Sequence, residues 1–322
     1  MKGRRDVIKA GLAVVAGTQL GSAWAADKKK DKDKPKAVAP APVITKPVPS
    51  TGERLAVVGL GTNNYSPTTP EERAARREVV AGLTAAGAQV IDTAPAYRQS
   101  EETIGELLAD IGNRKQVFVA TKVTAPDGNL QRGIDMIEES RRRLKTDVID
   151  LLQIHSLDGV NVLFPHMNDL KRKGVVRYIG ITTSNSNQHA RMVELINSEP
   201  LDFVQVDYSI ANRAAGESVL PAALAKKVGV LVNLPFGGRR DGNLFSRVAG
   251  KELPEWAAEI GIRSWGQFLL KYVVSHPAVT VAIPGMTKIS HLEDNLEAGR
   301  GRLPDAALRA RMEKYWDQNF DS

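Results

Sequence analysis

The chain has 322 residues, enough for one large domain or two ordinary ones, and its 42% apolar and 25% charged residues are those of a globular protein with a sizeable core. It has no cysteine, which excludes disulfides, thiol catalysis and cysteine-based metal sites. The formal charge of +7 is confined to the start: residues 1–50 hold 11 Lys and Arg against four Asp, leaving 33 of each sign in the remainder and no net-charge support for a nucleic-acid-binding face.

Residues 1–26 read as a targeting segment. A basic opening with Lys2, Arg4 and Arg5 precedes an apolar run from Val7 through Leu20, and Ala23-Trp24-Ala25 supplies the small-x-small pattern of a signal peptidase site. Paired arginines before a weakly hydrophobic, glycine-containing run resemble a twin-arginine signal, whose partner is the twin-arginine translocase and whose destination is the periplasm. The run is too short and too rich in glycine for a membrane span. Residues 27–52 alternate Lys and Asp and then turn rich in Pro, Ala and Val. Such a composition buries no core, so a flexible, disordered linker is expected up to residue 52 and a single domain over 53–322.

Within that domain eight short apolar runs predict strands at Leu55–Leu60, Gln89–Asp92, Val117–Thr121, Ile149–Ile154, Tyr178–Thr182, Phe203–Val206, Val230–Leu234 and Val279–Ile283. Most are continuous instead of alternating, as in parallel strands covered by helices. Segments with a 3.6-residue period separate them, at Pro70–Ala86, Glu101–Ile111, Leu130–Leu144, Val162–Lys173, His189–Asn197 and Leu220–Lys227; Trp265–Ser275 and Asp305–Trp316 are two more helix candidates near the end. Eight strands alternating with helices predict an α/β fold, a (β/α)8 TIM barrel, over a doubly wound sheet. Trp256 and Trp265 lie among apolar helix residues and are expected to pack. The five histidines show no metal-ligand spacing, so no metal is assigned.

In a barrel of this kind the C-terminal strand ends face the catalytic mouth. The second strand ends in Asp92, with Tyr97 in the following turn; the third ends in Lys122 and the fourth in His155. A tyrosine's ordinary pKa of about 10 is too high for an efficient acid near neutral pH. A nearby lysine ammonium favours the phenolate, and a carboxylate such as Asp92 keeps a buried lysine charged. His155 can hold a substrate oxygen against Tyr97. The assembly protonates an oxygen as negative charge develops on it, which carbonyl reduction requires.

The ordered motifs D-T-A-P-A-Y, A-T-K-V and Q-I-H-S, with G-L-G-T before them and Y-I-G-I-T, F-V-Q-V-D-Y and I-P-G…H-L-E-D-N-L after, resemble the aldo-keto reductase family over residues 53–300. The resemblance implies hydride transfer from NADPH to an aldehyde or ketone, with Tyr97 as proton donor, Lys122 and Asp92 as its tuning pair and His155 orienting the carbonyl. It also implies a cofactor site: Gly61, Thr62 and Asp92 at the mouth, Thr182, Thr183 and Gln205 on the carboxamide, Leu234, Phe236 and Gly237 over the pyrophosphate, and Gly285 to Asn295 around the adenosine phosphate. Lys288 and His291 would meet a 2′-phosphate, which favours NADPH over NADH. Three positions depart from the family pattern. Thr182-Thr183 stand where Ser-Asn is common, Asn233 replaces a tyrosine that stacks on the nicotinamide (leaving Tyr208 or Phe236 to compensate), and Gly285 replaces a lysine. Arg239-Arg240-Asp241 falls in a loop where phosphate contact or plain solvation are both open.

A rival reading is an NADPH-binding redox-sensing or regulatory module with little turnover, to which an export signal lends weight because NADPH is scarce outside the cytoplasm. A lyase using Lys122 as a Schiff base conflicts with a carboxylate that keeps the lysine charged. Replacing Arg4 and Arg5 by Lys should trap precursor inside a fractionated bacterial host; unchanged export would contradict the twin-arginine reading.

Overall fold

The computed structural model describes residues 41–238 and 242–320, so the targeting segment, residues 27–40 and Arg239-Arg240-Asp241 lie outside the described residues. An antiparallel hairpin comes first, β1 (Thr45–Pro47) with β2 (Arg54–Ala56). Eight parallel strands follow: β3 (Leu60–Gly61), β4 (Val90–Asp92), β5 (Phe118–Val123), β6 (Ile149–His155), β7 (Val176–Thr182), β8 (Phe203–Asp207), β9 (Gly229–Asn233) and β10 (Val281–Ala282). Each pairs with its sequence neighbour, and parallel bridges Val58–Ala282 and Gly61–Gly285 close the ring between first and last. A Cβ on Gly61 would sit 2.6 Å from the Ile283 carbonyl oxygen, so only glycine lets this seam close.

Helices fill the crossovers: α1 (Pro70–Ala85), α2 (Ser100–Ile111), α3 (Leu130–Arg143), α4 (Val160–Arg172), α5 (His189–Ser198), the short α6 (Ala214–Glu217), α7 (Val219–Lys226), the short α8 (Leu244–Arg247), α9 (Trp265–Val274), α10 (Ile289–Glu297) and α11 (Ala306–Phe320). Local signals set their starts. Thr69 accepts from Glu72 N ahead of Pro70 in α1, Asn129 accepts from Arg132 N in α3, and Ser264 accepts from Gln267 N in α9. None among the described residues is long and apolar enough to cross a membrane. Trp256 packs on Phe268 and Tyr315, and Trp265 on Phe268 and Phe320, as expected of packing residues.

Strand periodicity sorts the side chains into two cores. Residues pointing outward meet the helices in one large apolar layer, while Val90, Phe118, Ala120, Leu151, Tyr178, Phe203, Leu231, Val281 and Ile283 form a second cluster. Val48 and Leu55 from the hairpin join that second cluster. Two residues further along the same strands, on the same face, come Asp92, Lys122, Gln153, Gln205 and Asn233. The interior therefore turns from apolar to polar at the C-terminal rim, where the mouth opens.

Three expectations need correction. The linker does not run to residue 52: Val43 bridges Arg300, Ile44 N donates to Gly299 O, and Val48 is fully buried. Lys46 Nζ donates to the carbonyls of Val274, His276 and Val279 at 2.8, 2.9 and 2.6 Å. Proline and alanine content describes the segment's composition, but apart from the adjacent β2 its partners, in residues 274–300, lie more than 220 residues away and cannot be read locally. Second, the run Leu55–Leu60 is divided between the hairpin and the barrel, because residues 54–56 pair with β1 and Leu60–Gly61 with β4. Third, the stretch expected around the adenosine phosphate carries a helix that was not among the helix candidates, α10.

Lys46→Met removes a donor from three carbonyls and is expected to lower unfolding free energy by about 1–3 kcal/mol in urea denaturation. A flexible tether at this position would leave the midpoint unchanged.

Candidate active site

The four expected catalytic residues converge at the mouth. Lys122 Nζ lies 2.6 Å from Asp92 Oδ2 and donates to Thr93 O at 2.8 Å, with both ion-pair side chains at most 3% exposed. The same ammonium stands 4.8 Å from the centre of the Tyr97 ring. Tyr97 itself is half-buried in the turn after β4, and the His155 ring meets it edge-on at 6.3 Å.

Electrostatics follow from this packing. Burial alone would push the Lys122 amine down, but the Asp92 carboxylate and the Tyr97 phenol outweigh it and hold the amine above its ordinary value. Burial, reinforced by the Lys122 ammonium and opposed by Asp92, pushes His155 down to about 4. At neutral pH the site thus holds a charged lysine and a neutral imidazole that can donate one hydrogen bond.

Gln153 and Gln205 complete the Asp92 environment, donating Nε2 to Oδ1 at 3.2 and 2.7 Å. An ionised carboxylate only accepts, so both amides must turn their NH2 groups to it. Gln205 Oε1 consequently faces the Thr182 hydroxyl at 3.0 Å, and Asn233 Nδ2 reaches Gln205 Oε1 at 3.4 Å and Thr183 O at 3.3 Å. The sequence reading missed Gln153, although its place two residues before His155 in a strand puts both on one face. Buried Gln153 Oε1 and Asn233 Oδ1 have no partner among the described residues.

Two adjoining cavities open beside this cluster. One of about 160 Å³ is lined by Gly61, Thr62, Asn63, Asp92, Tyr97, Asn233, Leu234, Pro235, Phe236, Gly237, Ile283 and Gly285. Phe236, Gly237 and Gly285 are shared with a second of about 570 Å³, whose wall includes Asn243, Phe245, His291, Asp294 and Asn295. Most of the residues expected to hold a cofactor therefore line one of two connected spaces, whereas Thr182, Thr183 and Gln205 line neither and form a hydrogen-bonded group joined to Asp92 through Gln205. Lys288 does not line either; it is exposed at the N-cap of α10. Nor does Tyr208 compensate for Asn233, because its ring is buried and its hydroxyl bonds Tyr272 and Arg309. Phe236 stays at the cavity wall, 4.8 Å from Phe245. The larger cavity of about 700 Å³, lined by Gln89, Arg114, Asp150 and Arg177 among others, contains none of the four ionisable groups and lies at the opposite strand ends.

The two depressed histidines, His155 and His276, both near 4 against 6.5, set a pH dependence of stability. A neutral-buried imidazole contributes stability that is fully present above pH 6.5 and is lost as pH falls toward 4, because the unfolded chain binds the proton first. Urea midpoints measured from pH 7 to 4 should fall, and His155→Gln should flatten that slope.

The comparisons agree with this geometry. The sequence profile described as "Aldo/keto reductase family" matches residues 57–315. Aldo-keto reductase YhdN of Bacillus subtilis is 34% identical over 202 residues, 58% of this chain and 60% of that protein, so this match spans less than two thirds of its length. Methylglyoxal reductase YeaE of Escherichia coli is 28% identical over 271 residues, 81% of this chain and 91% of that protein. Among solved structures, an aldo/keto reductase from Klebsiella pneumoniae in complex with NADP and acetate superposes with a TM-score of 0.68 at 25% identity, covering 82% of this chain and 93% of that one. The holo form of AKR11C1 from Bacillus halodurans, at 23% identity and a TM-score of 0.69, covers 84% and 96% and shares the fold. A closed eight-stranded barrel, an ion pair beneath a tyrosine at its mouth and a profile match over most of the domain lead to one conclusion: the chain belongs to the aldo/keto reductase family.

Proposed function

We propose that the protein reduces an aldehyde or ketone to an alcohol with NADPH, Tyr97 giving the proton. The observation that carries this is the Lys122–Asp92 pair at 2.6 Å beneath the Tyr97 ring, with the neutral His155 at its edge. The connected cavities suit an elongated dinucleotide: a smaller space at the ion pair and a larger one against α10, with glycines 61, 237 and 285 in their linings. Gly61, Thr62, Thr182, Thr183 and Gln205 would hold the nicotinamide end, Leu234, Phe236 and Gly237 the pyrophosphate, and Gly285, His291 and Asn295 the adenosine end. Bound NADPH supplies the hydride that adds to the carbonyl carbon.

The protein's own residues handle the oxygen. His155, neutral, donates a hydrogen bond to it and sets it against Tyr97. The Tyr97 hydroxyl gives its proton to that oxygen as negative charge develops, and the Lys122 ammonium stabilises the phenolate left behind. Asp92 keeps the lysine charged, and solvent reprotonates the tyrosine. Only four residues, Ser156 to Gly159, separate β6 from α4, so the rim beside His155 is low and suits carbonyl compounds of varied size. The leader-like residues 1–26 support export to the periplasm as part of the same proposal.

Purified protein with NADPH and a panel of aldehydes and ketones, followed at 340 nm, should show turnover that Tyr97→Phe lowers by about 10²–10⁴-fold. NADPH affinity, read by fluorescence quenching, should survive that substitution. Tight NADPH binding with no turnover on any carbonyl would overturn the reading.

A further inference from the structure

The backbone just after His155 is unusual. Ser156 and Leu157 both take left-handed φ values, +55° and +59°, although neither is glycine. Such conformations persist only where surroundings over-determine them, and here they lie directly after the strand-end imidazole. Part of the support is backbone: Asp158 N donates to His155 O at 3.0 Å, and Ala125 N to Asp158 O at 3.2 Å. Leu157 also rests on the apolar layer. From the segment after the neighbouring strand β7 comes a side chain, Gln188, whose Nε2 donates to Ser156 O at 3.0 Å.

The other end of the same amide faces Thr183, whose hydroxyl donates to Gln188 Oε1. The orientation is forced, since a carbonyl oxygen only accepts and so must face the NH2 group. Thr183 in turn is fixed at the end of β7, its N donating to Gln205 O at 3.0 Å and its hydroxyl accepting from Asn185 N at 3.0 Å. Gln205 leads back to Asp92 at 2.7 Å. A continuous polar path therefore runs from the Asp92–Lys122 pair, through Gln205 and Thr183, across Gln188 to the corner that carries His155. Gln188 sits at the N-cap of α5 but makes no capping hydrogen bond there with its side chain. Helix geometry does not account for its two contacts.

We propose that Gln188 is a positioning residue that ties the His155 corner to Thr183, so that the carbonyl-orienting imidazole and the cofactor-side hydroxyl are held as one unit. The role rests on the reductase reading for its catalytic meaning, but the linkage itself is measurable without turnover. The charged and titratable groups facing His155 are Lys122, Asp92 and Tyr97, none of which Gln188 touches. A change in His155 titration on altering Gln188 would thus report the corner relaxing and water reaching the ring.

Two substitutions separate the arms. Gln188→Met removes both hydrogen bonds, whereas Gln188→Glu keeps an acceptor for Thr183 and loses the donor to Ser156. Histidine NMR titration, with His155 assigned through His155→Gln, should show its pKa rising from about 4 toward 6.5 in both variants. With NADPH and a carbonyl, kcat should fall about 10- to 100-fold in both, as expected when a reacting geometry loosens. The NADPH Kd, read by fluorescence quenching, should weaken about 2- to 10-fold in Gln188→Met and stay near wild type in Gln188→Glu. Titration unchanged in both variants, or a Glu variant with wild-type kcat, would overturn the proposal. An enzyme with no carbonyl turnover at all, but with the titration shifted, would remove the reductase reading and leave the linkage standing.

Discussion

Two charges taken out of water inside a barrel set the terms for everything at its mouth. Moving Lys122 and Asp92 from solvent costs several kcal/mol per ion, and their attraction offsets this only when the remaining donors and acceptors are satisfied. Here Oδ2 takes the ammonium, Oδ1 takes Gln153 and Gln205, and Nζ also reaches Thr93 O. Each partner is then constrained in turn. Because the carboxylate can only accept, Gln205 must present its NH2 group to it, and Thr182 and Asn233 must answer to the remaining oxygen. One ion pair thereby orients a whole polar rim.

That rim is available for chemistry because the rest of the barrel is closed. The hairpin at the start of the domain contributes Val48 and Leu55 to the interior cluster, and Phe118, Tyr178 and Phe203 stack within it at 5.6–6.0 Å. Above this apolar plug the same strand faces turn polar. Tyr97 and His155 are the half-buried members of the proposed catalytic four, and Lys122 and Asp92 are hidden below them. For the proposed reaction, the arrangement leaves the groups that would touch a substrate accessible and shields those that would tune them.

The small space beside the ion pair adjoins a larger one against α10, and their walls come from segments far apart in the chain, among them 61–63, 233–238, 242–245 and 285–295. Their lining combines glycines and aromatic side chains with Asn and Asp, and His291 is its basic group among the described residues. Lys288, one turn earlier, caps α10 from outside that lining. The departure at Asn233 also gains a physical setting. An amide there joins the Thr183–Gln205 hydrogen-bond network, where an aromatic ring would offer a face instead.

Much of this was legible in the linear chain. Strand existence followed from short apolar runs, and the convergence of the four candidate residues at one rim followed from polar residues placed where those runs stop, because a two-residue period and a common rim are properties of the strand itself. Asp92, Lys122 and His155 could be found one strand at a time. Gln153 was equally readable by period, but nothing local marks an amide as a carboxylate's partner. The tertiary structure alone decided the rest. Whether residues 43–52 were a tether or part of the fold, whether Leu55–Leu60 was one strand or two, and whether Lys288 or only His291 reached the cavity each depended on tertiary placement, such as Arg300 meeting Val43 and β4 pairing with Leu60. Local chemistry specifies what a residue can do, whereas closure of the ring decides which other residue it meets.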